Sequence, residues 1–185
     1  MDLSVYLADV TGHLFSANSI SNYLKSQRLV LQPKTILEYL DYLTNAFLLQ
    51  RVKPADLKGK ELLKVGEKYY FEDLGIRHAI CPFRADDMGQ VLENLVCHQL
   101  SVSGYSLNTG RSGNKEIDFV ATKDGEKHYI QVALTMTEEK TRQREFGNLL
   151  DIQDNYPKTV ITLDNIEGAS YSGIRQTPIR KFLLE

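Results

Sequence analysis

Apolar and polar positions recur with two different periods along this chain. In the first third the period is helical. Leu3, Tyr6, Leu7 and Val10 return every three to four residues and predict a helix within residues 2–13. Ser16 is placed to cap a second helix, 18–27, with Ile20, Tyr23 and Leu24 on one face. Pro33 opens a third, whose predicted buried stripe is Ile36, Leu37, Leu40, Leu43 and Phe47. Residues 47–53 and 68–72 then read as strands, separated by a polar connection with Pro54, Gly59 and Gly66. Three helices followed by a two-stranded hairpin is the order of a winged helix-turn-helix.

Farther on, the period-two pattern of strands takes over between helices. Asp73 to Ile80 reads as a short connecting helix or turn that Cys81-Pro82-Phe83 ends. Asp86-Asp87 is placed to cap a helix running to about Ser101. That helix is apolar on most sides and is predicted to be largely buried. Glu93 shares a face with Val96, Cys97 and Leu100, an uncommon place for a carboxylate. A strand at 103–107 leads to an expected glycine-rich loop with Asn108, Gly110, Ser112 and Gly113. The most strongly patterned stretch, Gly113 to Thr135, follows. It reads as a strand over 115–122, a turn at Lys123-Asp124-Gly125-Glu126, and a strand over 127–134. Tyr129 to Leu134 is almost continuously apolar, as in a strand covered on both faces.

Thr137 is the expected cap of a helix reaching about Ile152. Strands are expected at 159–163 and 170–174, and Pro178 opens a last helix. The fold class is therefore α/β, with a mixed sheet flanked by helices in the second part. The predicted division is a winged-helix segment, 1–72, and an α/β domain, 73–185.

Composition narrows the function classes. The 185 residues are 42% hydrophobic and 25% charged, with a net charge of −2. This is an ordinary globular composition without the global basic signature of a nucleic-acid binder. The basic residues are concentrated locally. Arg51 to Lys68 holds six basic residues against three acidic, and Arg51, Lys53, Lys58 and Lys60 are the candidate phosphate contacts. From Asp73 onward acids outnumber bases, 16 to 13.

There is no signal peptide and no apolar run long enough for a bilayer, so the expected location is cytoplasmic and no membrane partner is expected. Cys81, Cys97, His78 and His98 lack zinc-site spacing and read as packing and surface residues. No phosphate-binding GxxxxGK[ST] loop and no nucleophile triad is present.

The polar residues of the central strands carry the candidate chemistry. Glu116 and Asp118 lie on one face of the first strand, and Gln131 sits inside the second. Leaving such groups buried without partners costs a few kcal/mol each, so they are either hydrogen-bonded or used. An acid in an apolar strand, followed thirteen residues later by Gln-x-x in the next, resembles the PD-(D/E)XK nuclease core.

More broadly, SISNYLKSQ, DLKGKELLKVGEKYYFEDLGIRHAI, LENLV, KEIDFVA, YIQVALT, REFGNLLDIQDNYPKTVITLD and KFLLE resemble the C-terminal portion of prokaryotic AAA-type ATPases. That portion pairs a winged helix with a restriction-endonuclease-like domain of unknown function. The resemblance implies an ATPase domain outside this chain as partner, and DNA as a second candidate. It also implies a Mg²⁺ or Mn²⁺ site on Glu93, Asp118 and Gln131, which would be the catalytic residues. The motif's lysine position is occupied by Ala133, and Lys140 and Arg144 on the following helix are the candidate replacements.

Three readings stand together. The preferred one is a nuclease-fold module with a degenerate metal site that binds DNA or a partner without cutting. The others are a metal-dependent endonuclease with a relocated basic residue, and a purely structural assembly domain. The sequence sets no oligomeric state.

Overall fold

The computed structural model describes residues 3–56, 66–112, 115–166 and 168–185. Lys58, Gly59, Lys60 and Gly113, singled out above, lie outside the described residues. The protein is mixed α/β and divides into two compact units. One comprises Met1–Lys53 and Leu63–Asn94, the other Pro54–Leu62 and Leu95–Glu185. The expected boundary at residue 72 therefore falls inside the first unit.

In the first unit three helices precede a hairpin. They are α1 (Leu3–Asp9), α2 (Ala17–Ser26) and α3 (Pro33–Asn45), followed by β1 (Leu49–Asp56) and β2 (Lys68–Phe71), paired antiparallel from Leu49↔Phe71 to Val52↔Lys68. Ser16 caps α2 in a reciprocal capping box with Ser19, and Pro33 takes the first turn of α3. Leu7, Ile20, Leu24, Ile36, Leu40, Leu49, Tyr69 and Phe71 form one core. The α3 stripe is narrower than its periodicity suggested. Ile36 and Leu40 are buried, but Leu37 is half exposed and Phe47 is 81% exposed. Phe47 lies beyond the helix, in a turn with φ +54°, where it leaves the helical face.

Helix α4 (Leu74–Ile80), capped by Asp73, and the first part of α5 (Met88–Val102) complete the unit. A 3₁₀ turn, Ala85–Asp87, precedes α5 and is where the expected Asp86-Asp87 cap lies. The reason these elements belong with the hairpin, and not beyond residue 72, is specific bonding. Asn94 of α5 donates to the Phe71 carbonyl (2.7 Å) and accepts from the Phe71 amide (2.8 Å), acting as an extra strand residue for β2.

In the second unit six strands form a mixed sheet in the order β3-β4-β5-β6-β8-β7. They are β3 (Ser106–Ser112), β4 (Lys115–Lys123), β5 (Glu126–Ala133), β6 (Lys158–Thr162), β7 (Ser170–Tyr171) and β8 (Ile174–Pro178). β3, β4 and β5 form an antiparallel meander, β6 runs parallel to β5 and β8 parallel to β6. The β4–β5 turn holds Asp124 and Gly125, both at positive φ, the two-residue hairpin geometry that glycine favours.

The stretch read as a glycine-rich loop is instead the body of β3. Its ladder shifts register between Asn108 and Gly110, and that bulge accounts for the polar, glycine-containing pattern. The strand expected at 170–174 is two strands divided by the Ser172-Gly173 turn. α6 (Glu139–Leu150) follows β5 and buries Phe146 and Leu149 against Ile117, Tyr129, Ala133 and Val160. Glu138, rather than the expected Thr137, stands at its N-terminus and makes no side-chain cap. α7 (Ile179–Phe182) closes the chain directly after Pro178. Among the described residues no helix is long and apolar enough to cross a membrane.

Candidate functional site

The site is a fork in the second-unit sheet. β4 and β5 are zipped from the turn to the Phe119↔Ile130 pair. Beyond that pair β4 continues its ladder only with β3, through Ile117, Glu116 and Lys115. β5 continues only with β6, through Ala133↔Thr162. The strands therefore part at Asp118 and Gln131, the two residues the sequence pattern selected.

Side chains take over where the ladder stops. The Gln131 Oε1 accepts from the Asp118 amide at 2.8 Å, and the Asp118 Oδ2 accepts from the Val132 amide at 2.9 Å. Two backbone donors freed by the fork are thus satisfied reciprocally, as buried amides require. Gln131 is buried, and its Nε2 donates to the Glu145 Oε2 on α6 at 2.7 Å. The other Glu145 oxygen accepts from Arg144, from Nε at 2.8 Å and Nη2 at 2.5 Å. Asn148, one turn on, donates to the Glu116 carbonyl at 3.1 Å. α6 is therefore stitched over the fork by Glu145 and Asn148.

The expected metal ligands have these surroundings. Asp118 and Gln131 are brought together, but the Gln131 oxygen is already an acceptor for backbone and its amide nitrogen is turned to a carboxylate. Glu93 belongs to the first unit. There its Oε1 accepts from Lys68 Nζ at 2.7 Å and Tyr70 Oη at 2.6 Å, a charge-matched pair in a half-buried setting. Ala133, at the lysine position, is buried in the apolar cluster with Met136 and Phe146. Among the described residues no group of three or more His, Cys, Asp and Glu side chains is arranged to hold a metal. Within the second unit the Gln131 oxygen and one Asp118 oxygen are engaged by backbone amides, whereas a divalent ion takes several oxygen ligands.

Of the two candidate replacement bases, Arg144 is spent on Glu145, with most of its side chain in solvent. Lys140 is exposed on the first turn of α6. Of the candidate phosphate contacts, Arg51 pairs with Asp41, lies 3.6 Å from Glu67 and sits over the Tyr69 ring. Lys53 is exposed on β1, and Lys58 and Lys60 lie outside the described residues. Cys81 and Cys97 are both buried and form no disulfide.

Glu145 was not selected by sequence as a site residue. Its position one before Phe146 and four before Leu149 places it on the buried face of α6, and that spacing is the signal that identifies it.

Comparisons with known proteins add little chemistry. Residues 1–87 match a domain of unknown function (DUF8612). An uncharacterized protein of Haemophilus influenzae is 39% identical over 181 residues, which is 98% of this chain and 44% of the relative. The chain thus spans less than half the length of that relative. No solved structure matches.

Proposed function

We propose that this chain is a non-cleaving docking module of a longer protein. Its first unit is winged-helix-like. Its second is a PD-(D/E)XK-like sheet whose metal position has become a hydrogen-bonded clamp. The single observation that carries this reading is the reciprocal bonding of Asp118 and Gln131 to backbone amides across the fork. Gln131 Oε1 and Asp118 Oδ2 are each already held by a backbone amide, and the packed Ala133 supplies no charge stabiliser where the motif has its lysine. The longer protein, on the resemblance set out above, is an AAA-type ATPase. The relative's greater length supports a partner region beyond the aligned part. Protein is favoured over DNA as the occupant of the first unit, because Arg51 is already matched by Asp41 and Glu67.

DNA binding without cleavage is the second reading. It is favoured by the local charge excess between Arg51 and Lys68, with Lys53, Lys58 and Lys60 as its residues. One experiment addresses both. Mg²⁺ or Mn²⁺ is titrated against supercoiled plasmid with the native chain and with Asp118→Ala, and DNA binding is followed against salt. The expected result is no nicking at any metal concentration. Nicking that disappears in Asp118→Ala establishes the endonuclease alternative instead. Salt-sensitive binding lost in Lys53→Glu/Lys60→Glu establishes the second reading.

A further inference from the structure

The sheet face opposite the fork holds a cavity that the docking reading does not use. Its floor is set by register. Ile130 pairs with Thr159, Thr159 with Arg175, and Ile161 with Thr177, so these side chains and His128 project from one face of β5, β6 and β8. Tyr129, Gln131 and Val160 alternate to the α6 side. The cavity measures about 320 Å³. α5 contributes Gln99 and Leu100 to its wall, Ser103 and Tyr105 border it, and α7 contributes Phe182.

This face combines buried apolar side chains with polar ones, and Arg175 and Lys123 reach solvent at its edge. Ile130 and Ile161 are fully buried and Leu100 nearly so, yet His128, Thr159, Arg175 and Thr177 share the same space. Covered sheet faces are ordinarily filled by apolar side chains, because unmatched polar groups there cost free energy. Two cations line the cavity, Lys123 and Arg175, against one side-chain carboxylate, Glu185. Lys123 is fixed at the rim by donation to the Ser103 carbonyl at 2.9 Å and by the Tyr105 ring 5.5 Å away. Among the described residues Arg175 forms no ion pair. The Thr159 hydroxyl is held by His128 Nε2 at 2.8 Å.

We infer that this cavity binds a small oxyanion, a phosphate or carboxylate, carried on a short aromatic or apolar body. The Arg175 fork and the Lys123 ammonium face the anion, the Thr177 hydroxyl donates to it, and Ile130, Ile161 and Phe182 receive the apolar part. Arg175 presents planar paired donors that match either oxyanion. Its field also reaches the cavity interior, since burial first and the Arg175 charge second hold His128 down to about 4, neutral at physiological pH.

The test uses the full chain with phenyl phosphate, benzoate and the neutral phenol as probes. Binding is read by calorimetry and by shifts of the His128 ring protons. Saturable binding of phenyl phosphate or benzoate, absent for phenol, is expected. Whichever anion binds identifies the oxyanion. Arg175→Gln, at an exposed position, is expected to weaken binding about tenfold or more, the loss of one charge-assisted contact. Thr177→Val is a second, shape-preserving variant, and a smaller weakening is expected from it. Gln143→Ala, at an exposed position on α6, leaves binding unchanged, and the cavity lining includes none of the fork residues, which separates this inference from the fork. No saturable anion binding by the native chain, or equal binding by folded Arg175→Gln and Thr177→Val, overturns it.

Discussion

Truncating Asp87 is expected to be among the most destabilising single changes in the first unit. Arg77 of α4 is fully buried. Its Nη2 donates to Asp87 Oδ2 at 2.8 Å and its Nε to the Ala8 carbonyl at 3.0 Å, with His78 Nδ1 3.2 Å from Nη1. Arg84, at the surface, covers the other Asp87 oxygen at 2.8 Å and reaches Asp9. Asp87→Ala leaves the buried guanidinium with one carbonyl and a ring nitrogen, and no counter-charge. Removing one member of a buried pair costs about 3–5 kcal/mol, a large share of the roughly 5–15 kcal/mol that holds a domain together. At about 2–4 °C per kcal/mol for a chain of this size, the melting temperature falls by roughly 6–20 °C.

The assay is urea denaturation followed by circular dichroism at neutral pH, on Asp87→Ala, Arg77→Met, Asp87→Leu and the Arg77→Met/Asp87→Leu double variant. The double variant is expected to be much closer to native than the sum of the single losses, because no buried charge is left unmatched.

The pH dependence has a definite sign. The Arg84 hydrogen bond, then Arg77, hold Asp87 from its ordinary 3.8 down to about 2, against the opposing effect of burial. The carboxylate's stabilisation is therefore complete above about pH 4 and is lost as pH falls toward 2. Asp87→Asn flattens the stability profile across that window. A loss below about 1 kcal/mol for Asp87→Ala, with strictly additive variants, would refute the argument that this pair is an essential buried contact.

Two further outcomes follow from the geometry. Asp118→Ala strips the acceptor from the Val132 amide, so stability falls by about 1–3 kcal/mol and Val132 amide exchange accelerates more than that of Ile130, readable by hydrogen exchange. Unchanged Val132 protection shows that the clamp is not needed. Phe47→Gly relieves a non-glycine residue at φ +54° whose side chain is mostly in solvent, so the chain gains up to about 1 kcal/mol in denaturant melts. A loss there shows that the ring makes a contact worth more than the strain.

The sequence pattern located most elements, because Ser16, Pro33, Asp73, Gly125 and Pro178 each do one conformational job that their chemistry permits. It misread β3, since a bulge gives a strand the polar, glycine-bearing look of a loop. It widened the α3 stripe by including Leu37 and Phe47, because periodicity does not show which neighbours exist to cover a face. It paired Asp118 with Gln131 correctly as neighbours. It did not reveal what they do there, since a side chain bonded to backbone and a side chain free for a ligand look alike in a string of letters. Asn94 acting as a strand surrogate for Phe71, and Arg77 sealed against Asp87, involve residues ten or more positions apart and leave no local signature.

Strand β5 serves two unrelated environments by turns, Tyr129, Gln131 and Ala133 toward α6 and His128 and Ile130 toward the cavity. Inserting or deleting one residue in it would exchange the two sets at a stroke, sending Gln131 toward α7 and Ile130 toward Glu145. Length changes are thus forbidden in this strand, and either side can drift only by replacement of individual residues in place.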